Sequence, residues 1–189
     1  MEAQPDRLYA LYVLALYLGL RRGELLGLRW DDIDLAKKDL EISRTLQRVG
    51  GELKVATPKT RHSRRTVPLP EVCVSALQEH QERQKADRDA AGTDWIDSGY
   101  VFTSTIGTPI EPDNLRRSWY PVRKAAGLGN VVFHGLRHTC VTLLLDLNVP
   151  LHIVRDIVGH SAIEVTMTIY AHASLDEKRA ALTKLGEHL

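Results

Sequence analysis

Four side chains between residues 133 and 170 have types that suit transfer chemistry at one phosphate: His134, Arg137, His160 and Tyr170. In-line attack on a phosphodiester needs a nucleophile and groups that hold growing negative charge. A phenol supplies the first, and guanidinium and imidazole supply the second. His134 and Arg137 are three apart, so on a helix they share a face. His160 follows Gly159, which can end a helix, and Ser161 with Glu164 reads as a capping-box start for the next one. Tyr170 then falls near the end of that short helix.

Each residue also has a plainer reading. A lone Tyr on a helix is commonly core or surface, and His134 with Arg137 could be a solvated face. His134 and His138 have the spacing of a helical zinc pair. However, Gly135 stands where the metalloprotease motif has Glu, and no third ligand is evident, so no metal is expected. Upstream residues tip the balance toward phosphate. Arg21 and Glu24 are three apart: either a surface ion pair worth little, or an arginine on a phosphate with an acid orienting it. Lys59 lies in the segment 58–64, between two stretches that read as strands, 53–57 and 65–69. This places it on an expected β-hairpin loop, able to reach a ligand. A lysine there is a solubiliser or a proton donor.

The elements that must position these groups follow from periodicity. Pro5-Asp6 opens a first helix with Leu8, Leu11, Tyr12 and Ala15 as its stripe, and Gly19 ends it. A short second helix runs to about Leu28. Residues 40–46 alternate as a half-buried strand does, and Val49-Gly50-Gly51 is a turn. Pro70-Glu71 starts a long helix to about Gly92, with Val72, Ala76 and Leu77 facing in. A short strand is expected at 100–102. Pro112 begins a helix to about Ala126, and Gly135 one that carries Leu136, Cys140, Leu143, Leu144 and Leu147 inward. Pro150 begins another, with Ile153, Val154, Ile157 and Val158. An amphipathic tail helix is expected over 174–189.

Composition bounds the class. At 189 residues, 43% hydrophobic and 26% charged, the chain is an ordinary globular domain with room for a core. A net charge of +1 says nothing by itself about nucleic acid, but the arrangement of charge says more. Lys54, Lys59, Arg61, Arg64 and Arg65 form one run without an acid, and Arg116, Arg117, Arg123 and Lys124 form a second group. Cys73 and Cys140 sit in apolar helical patterns and read as small core residues, which fits a reducing cytoplasm. The apolar run 8–20 is too short to span a bilayer, and its flank is a poor signal peptide.

At this point the sequence resembles the catalytic domain of the tyrosine recombinase (phage integrase) family over nearly its whole length. Gly-Leu-Arg-x-x-Glu-Leu at 19–25 is similar to the family's first box and marks Arg21. Thr57-Pro58-Lys59-Thr60 with Arg65-Thr66-Val67-Pro68-Leu69 resembles the lysine segment. His134-x-Leu136-Arg137-His138-Thr139 resembles the second box, Gly159-His160 the third, and Thr166-x-x-Ile169-Tyr170-x-His172 the nucleophile box. The resemblance implies an α+β fold, mainly α-helical, with a small antiparallel sheet near the N-terminal third. It implies a site-specific DNA recombinase of integrase type, with catalytic residues Arg21, Lys59, His134, Arg137, His160 and Tyr170 and Glu24 behind them. Arg61, Arg64, Arg65, Arg116 and Arg117 are the expected DNA-binding residues. No cofactor is implied. The expected partners are double-stranded DNA and, on it, three further copies in a tetramer, the free chain being a monomer.

Family members carry a helical core-binding domain before the first box, whereas about twenty residues precede Arg21 here. Residues 1–189 are therefore expected to be a catalytic domain alone. As the resemblance implies, Tyr170 attacks a backbone phosphate, leaving a 3′-phosphotyrosyl bond and a 5′-hydroxyl. Arg21 and Arg137 clamp the non-bridging oxygens, and His160 adds a hydrogen bond. Lys59 protonates the leaving oxygen and His134 takes the Tyr170 proton. Two other functions stay in view. A type IB topoisomerase shares the chemistry, but compact boxes and a short tail count against it. A non-catalytic DNA-binding module would not need this residue set.

Overall fold

A computed structural model describes residues 6–56 and 64–159, together with Arg179 and Thr183. Helix α1 (Tyr9–Tyr17) is the pillar of the core. The predicted stripe is too narrow for it: residues 10–15 are all buried, the mark of a helix packed on every side. It packs against α3 (Glu71–Ala91) and α5 (Gly135–Asp146). Between α1 and α3 the described residues form the short α2 (Arg22–Leu26), a 3-10 turn at Trp30–Asp32, and five strands.

The strands are β1 (Ile33–Asp34), β2 (Asp39–Ile42), β3 (Thr45–Val49), β4 (Glu52–Ala56) and β5 (Arg65–Pro68). All pairings are antiparallel: β1-β2-β5 form one sheet and β3-β4 a tight hairpin turned at Gly50-Gly51. The hairpin expected around Lys59 is thereby corrected. β4 and β5 do not pair with each other. Ala56 pairs with Thr45 and Arg65 with Ile42, so β4 and β5 return against different partners; residues 57–63 lie outside the described residues. The physical reason is register. Leu40, Ile42 and Val67 bring β2 and β5 side by side onto the main core, and Leu46 anchors β3 in that same core.

Proline sets the helix starts as expected, with Pro70 and Pro150 immediately before α3 and α6 (Leu151–Val158) and Pro112 opening α4 (Pro112–Ala125). The stretch 100–102 is not a strand. It forms an isolated bridge, Tyr100 to Arg29, and buries Val101 and Phe102. Cys73 and Cys140 are buried and free, and burial pushes their thiols up to about 12 and about 11. Leu136 and Cys140 face inward from α5. Leu143 and Leu147 do not, being 51% and 74% exposed. On the same distal turns Leu144 and Leu145 pack against the α5–α6 cluster, so the covered face lies beside Leu143 and Leu147 rather than on them. Ile153 on α6 is also exposed, while its neighbour Val154 packs with Val158 against Cys140 and Val141. No helix among the described residues is long and apolar enough to cross a membrane.

Candidate active site

Arg21 is placed by the turn between α1 and α2. Gly19 has φ +59°, and a Cβ there would meet Val158 Cγ1 at 2.8 Å, so the turn needs glycine on both conformational and steric grounds. Buried Leu20 then anchors the chain, and Arg21 becomes the N-cap of α2. Glu24, one turn on, reaches back: its Oε2 accepts the Arg21 backbone N–H at 2.9 Å and its Oε1 accepts Arg21 Nη1 at 2.8 Å. Arg65 approaches the same carboxylate from β5, with Nη1 on Oε1 at 3.2 Å and Nη2 on Oε2 at 3.1 Å. Glu24 is only 5% exposed. Burial pushes its pKa up, but the bonds and charges of Arg65 and Arg21 together outweigh burial and hold it below the ordinary carboxylate range. It is an anion fixed between two cations.

Arg137 enters from the first turn of α5, 3% exposed. Its Nη1 donates to the Gly19 and Val158 carbonyls, and its Nη2 to the Gly159 carbonyl at 3.2 Å. One guanidinium therefore ties the turn before Arg21 to the end of α6. Burial and the neighbouring Arg21 charge lower its pKa to about 10, which leaves it cationic at neutral pH. Gly159, at φ +86°, is the meeting point. A Cβ there would lie 2.9 Å from Arg65 Nη1 and 3.3 Å from Arg21 Nη1. Three guanidinium groups thus converge beside the residue that precedes His160, with Glu24 as the carboxylate bonded to two of them. Such an excess of confined positive charge is suited to an anion.

His134 is the N-cap of α5. It lines a cavity of about 790 Å³ together with Arg22, Arg116, Arg117, Tyr120 and Arg123. Partial burial lowers its pKa, and Arg137, Arg21 and His138 lower it further. The lowering favours the neutral imidazole, the form able to accept a proton. Arg116 and Arg117 are exposed on that cavity's wall, and Arg64 is exposed beside Glu41. Arg65 differs from the solvent-facing cation expected of it. Its side chain is 7% exposed, and all three of its guanidinium nitrogens bond to Glu24 or to the Ile157 carbonyl. Sequence reasoning missed this role, although alternation could have shown it: Arg65 shares a strand face with buried Val67 and Leu69. Lys59, Arg61, His160 and Tyr170 lie outside the described residues, as does the expected tail helix apart from Arg179 and Thr183, which are helical and exposed. Among the described residues, no three His, Cys, Asp or Glu side chains group as a metal site.

The model of the phage integrase family matches residues 1–177. The chain belongs to the phage integrase family. Among its relatives, a tyrosine recombinase XerC-like protein of Caldanaerobacter subterraneus subsp. tengcongensis is 39% identical, covering 96% of this chain and 49% of the relative. An integrase of Streptomyces ambofaciens is 38% identical over 89% of this chain and 45% of the relative. This phage integrase family member thus spans about half the length of the relatives it matches. Among solved structures, the Tn1549 transposon integrase in complex with transposon right end DNA superimposes with a TM-score of 0.78 at 27% identity, covering 98% of this chain and 61% of that one. XerA recombinase follows the same fold with a TM-score of 0.68 at 26% identity, over 95% of this chain and 58% of that one. The mainly helical domain with its small antiparallel sheet is therefore the tyrosine recombinase catalytic-domain fold.

Proposed function

We propose that this chain is the catalytic part of a site-specific DNA recombinase of integrase type, cutting and rejoining duplex DNA through a phosphotyrosyl intermediate. The observation that carries the reading is the convergence of Arg21, Arg65 and Arg137 beside Gly159, with Glu24 held between two of them. A scissile phosphate beside this cluster places its non-bridging oxygens against Arg21 and Arg137. Guanidinium is suited to that task because its planar donors match two oxygens at once. His160, next in sequence after Gly159, adds a hydrogen bond as charge builds.

Tyr170 Oη forms the new bond to phosphorus while the bond to the 5′-oxygen breaks. The phenolic proton passes to neutral His134, and Lys59 gives a proton to the departing oxygen. A phosphodiester is exchanged for a phosphodiester, so rejoining is the reverse attack by a 5′-hydroxyl and needs no energy input. Arg116, Arg117, Arg61 and Arg64 serve the DNA backbone, and four copies act together on the duplex. The free thiols fit a cytoplasmic setting. The direct test is a nicked suicide duplex, from which the cut strand is lost and the intermediate accumulates. The wild-type chain accumulates an SDS-resistant adduct and Tyr170→Phe does not; an adduct with the Phe variant sinks the assignment.

A further inference from the structure

Arg65 was expected to face DNA, and the geometry gives it other work. Nε donates to the Ile157 carbonyl at 2.8 Å, while Nη1 and Nη2 take one Glu24 oxygen each. The three partners come from three places. Arg65 begins β5, which resumes the chain after the Lys59 segment; Glu24 is on α2 behind Arg21; Ile157 is in the last turn of α6, just ahead of Gly159 and His160. We propose that Arg65 is a positioning residue that sets Arg21 through Glu24 and ties the strand following Lys59 to the end of α6. The proposal rests on the recombinase reading above and names a part of its machinery that does not itself meet the phosphate.

The guanidinium group is required by shape. Two in-plane donors fit a carboxylate side-on while the third points elsewhere, and an ammonium on a flexible stem cannot reproduce that pattern. A buried ion pair is weak evidence for stability, because desolvation cancels much of the attraction. Its measurable value here is orientation. Without Arg65, Glu24 keeps only Arg21 as partner and loses its tie to β5 and, through Arg65 Nε, to α6. Gly159 reports how tight the arrangement is: the space a Cβ would need is already taken by Arg65 and Arg21.

The test uses the whole chain, nicked suicide duplex and the variants Arg65→Lys, Glu24→Gln and their combination. Arg65→Lys keeps the charge and loses the geometry. It binds DNA within about threefold of wild type yet cleaves about 100-fold more slowly in a single turnover, the scale expected for misplacement of a reacting group. Glu24→Gln shows a similar loss, and the double variant is no worse than about threefold beyond the slower single, since both act through one link. Arg65→Lys cleaving within about threefold of wild type, or losses that multiply in the double variant, overturns the proposal. A readout independent of activity accompanies it: the Glu24 carboxyl followed by 13C NMR titrates higher in Arg65→Lys than in the wild type. An unmoved Glu24 titration overturns the link to Arg65. Absence of any adduct from the wild-type chain would instead strike the recombinase reading, while the titration still decides the role of Arg65.

Discussion

Arg137 Nη2 donates to the carbonyl of Gly159 at 3.2 Å, joining the first turn of α5 to the residue that follows α6. The same guanidinium reaches back to Gly19, in the turn that presents Arg21. Arg137→Lys therefore removes more than a charge-matched donor. At least two carbonyls in a buried site lose partners, at a cost of about 1–3 kcal/mol each. Cleavage is expected to fall by several orders of magnitude, and the urea midpoint to drop as well. A variant with wild-type stability and near-normal cleavage contradicts both roles.

Gly159→Ala is expected to be a severe change for a single methyl. The backbone is at φ +86°, which disfavours any L side chain, and the methyl would sit 2.9 Å from Arg65 Nη1. Displacing Arg65 and Arg21 should slow cleavage by about 100-fold or more. The strain should cost on the order of 1–3 kcal/mol in thermal unfolding. Unchanged single-turnover cleavage would show that the cluster tolerates a displacement the account does not allow.

Much of this was legible in the sequence, for particular reasons. Arg21 and Glu24 are legible because one helical turn brings the pair together, and His134 and Arg137 because the same spacing sets both at the start of α5. Pro70, Pro112 and Pro150 mark helix starts because proline suits the first turn. Strand pairing was not legible. Residues 65–68 alternate equally well against β4 or β2, and the choice is made by Leu40 and Ile42 in the core rather than by local pattern. Arg65 was misread because its charge in a basic run suggested solvent, although its parity with Val67 and Leu69 pointed inward. Leu143 and Leu147 differ from expectation because a run of leucines around α5 does not say which face α6 covers, and that face carries Leu144 and Leu145.

Leu147 and Leu136, both on α5, give a stability contrast. Leu147→Ala, at a site 74% exposed, should change the unfolding free energy of the free chain by no more than about 0.5 kcal/mol. Leu136→Ala, at a site 9% exposed in the main core, should cost about 2–5 kcal/mol. Equal losses would mean that the distal turns of α5 are covered in the free chain.

The pH dependence follows from His134. Its pKa is lowered in the folded chain by burial and by Arg137, Arg21 and His138, so the unfolded chain binds the proton more readily. Its contribution to stability is full above the ordinary histidine value of ~6.5 and is lost as pH falls through that value toward the folded one. The acid limb of cleavage due to His134 should accordingly lie below ~6.5 and disappear in His134→Gln. A limb at or above that value would contradict a neutral, cation-flanked imidazole.

Covalent transfer through Tyr170 with defined polarity, as proposed above, is tested on the adduct itself. The adduct from nicked suicide duplex is digested with protease and the nucleotide-bearing peptide is sequenced by mass spectrometry. The released strand is tested for direct kinase labelling at its 5′ end. The account predicts a 3′-phosphate esterified to Tyr170 and a 5′-hydroxyl that accepts label without phosphatase treatment. A link to another residue, or a 5′-phosphate on the released strand, would contradict it.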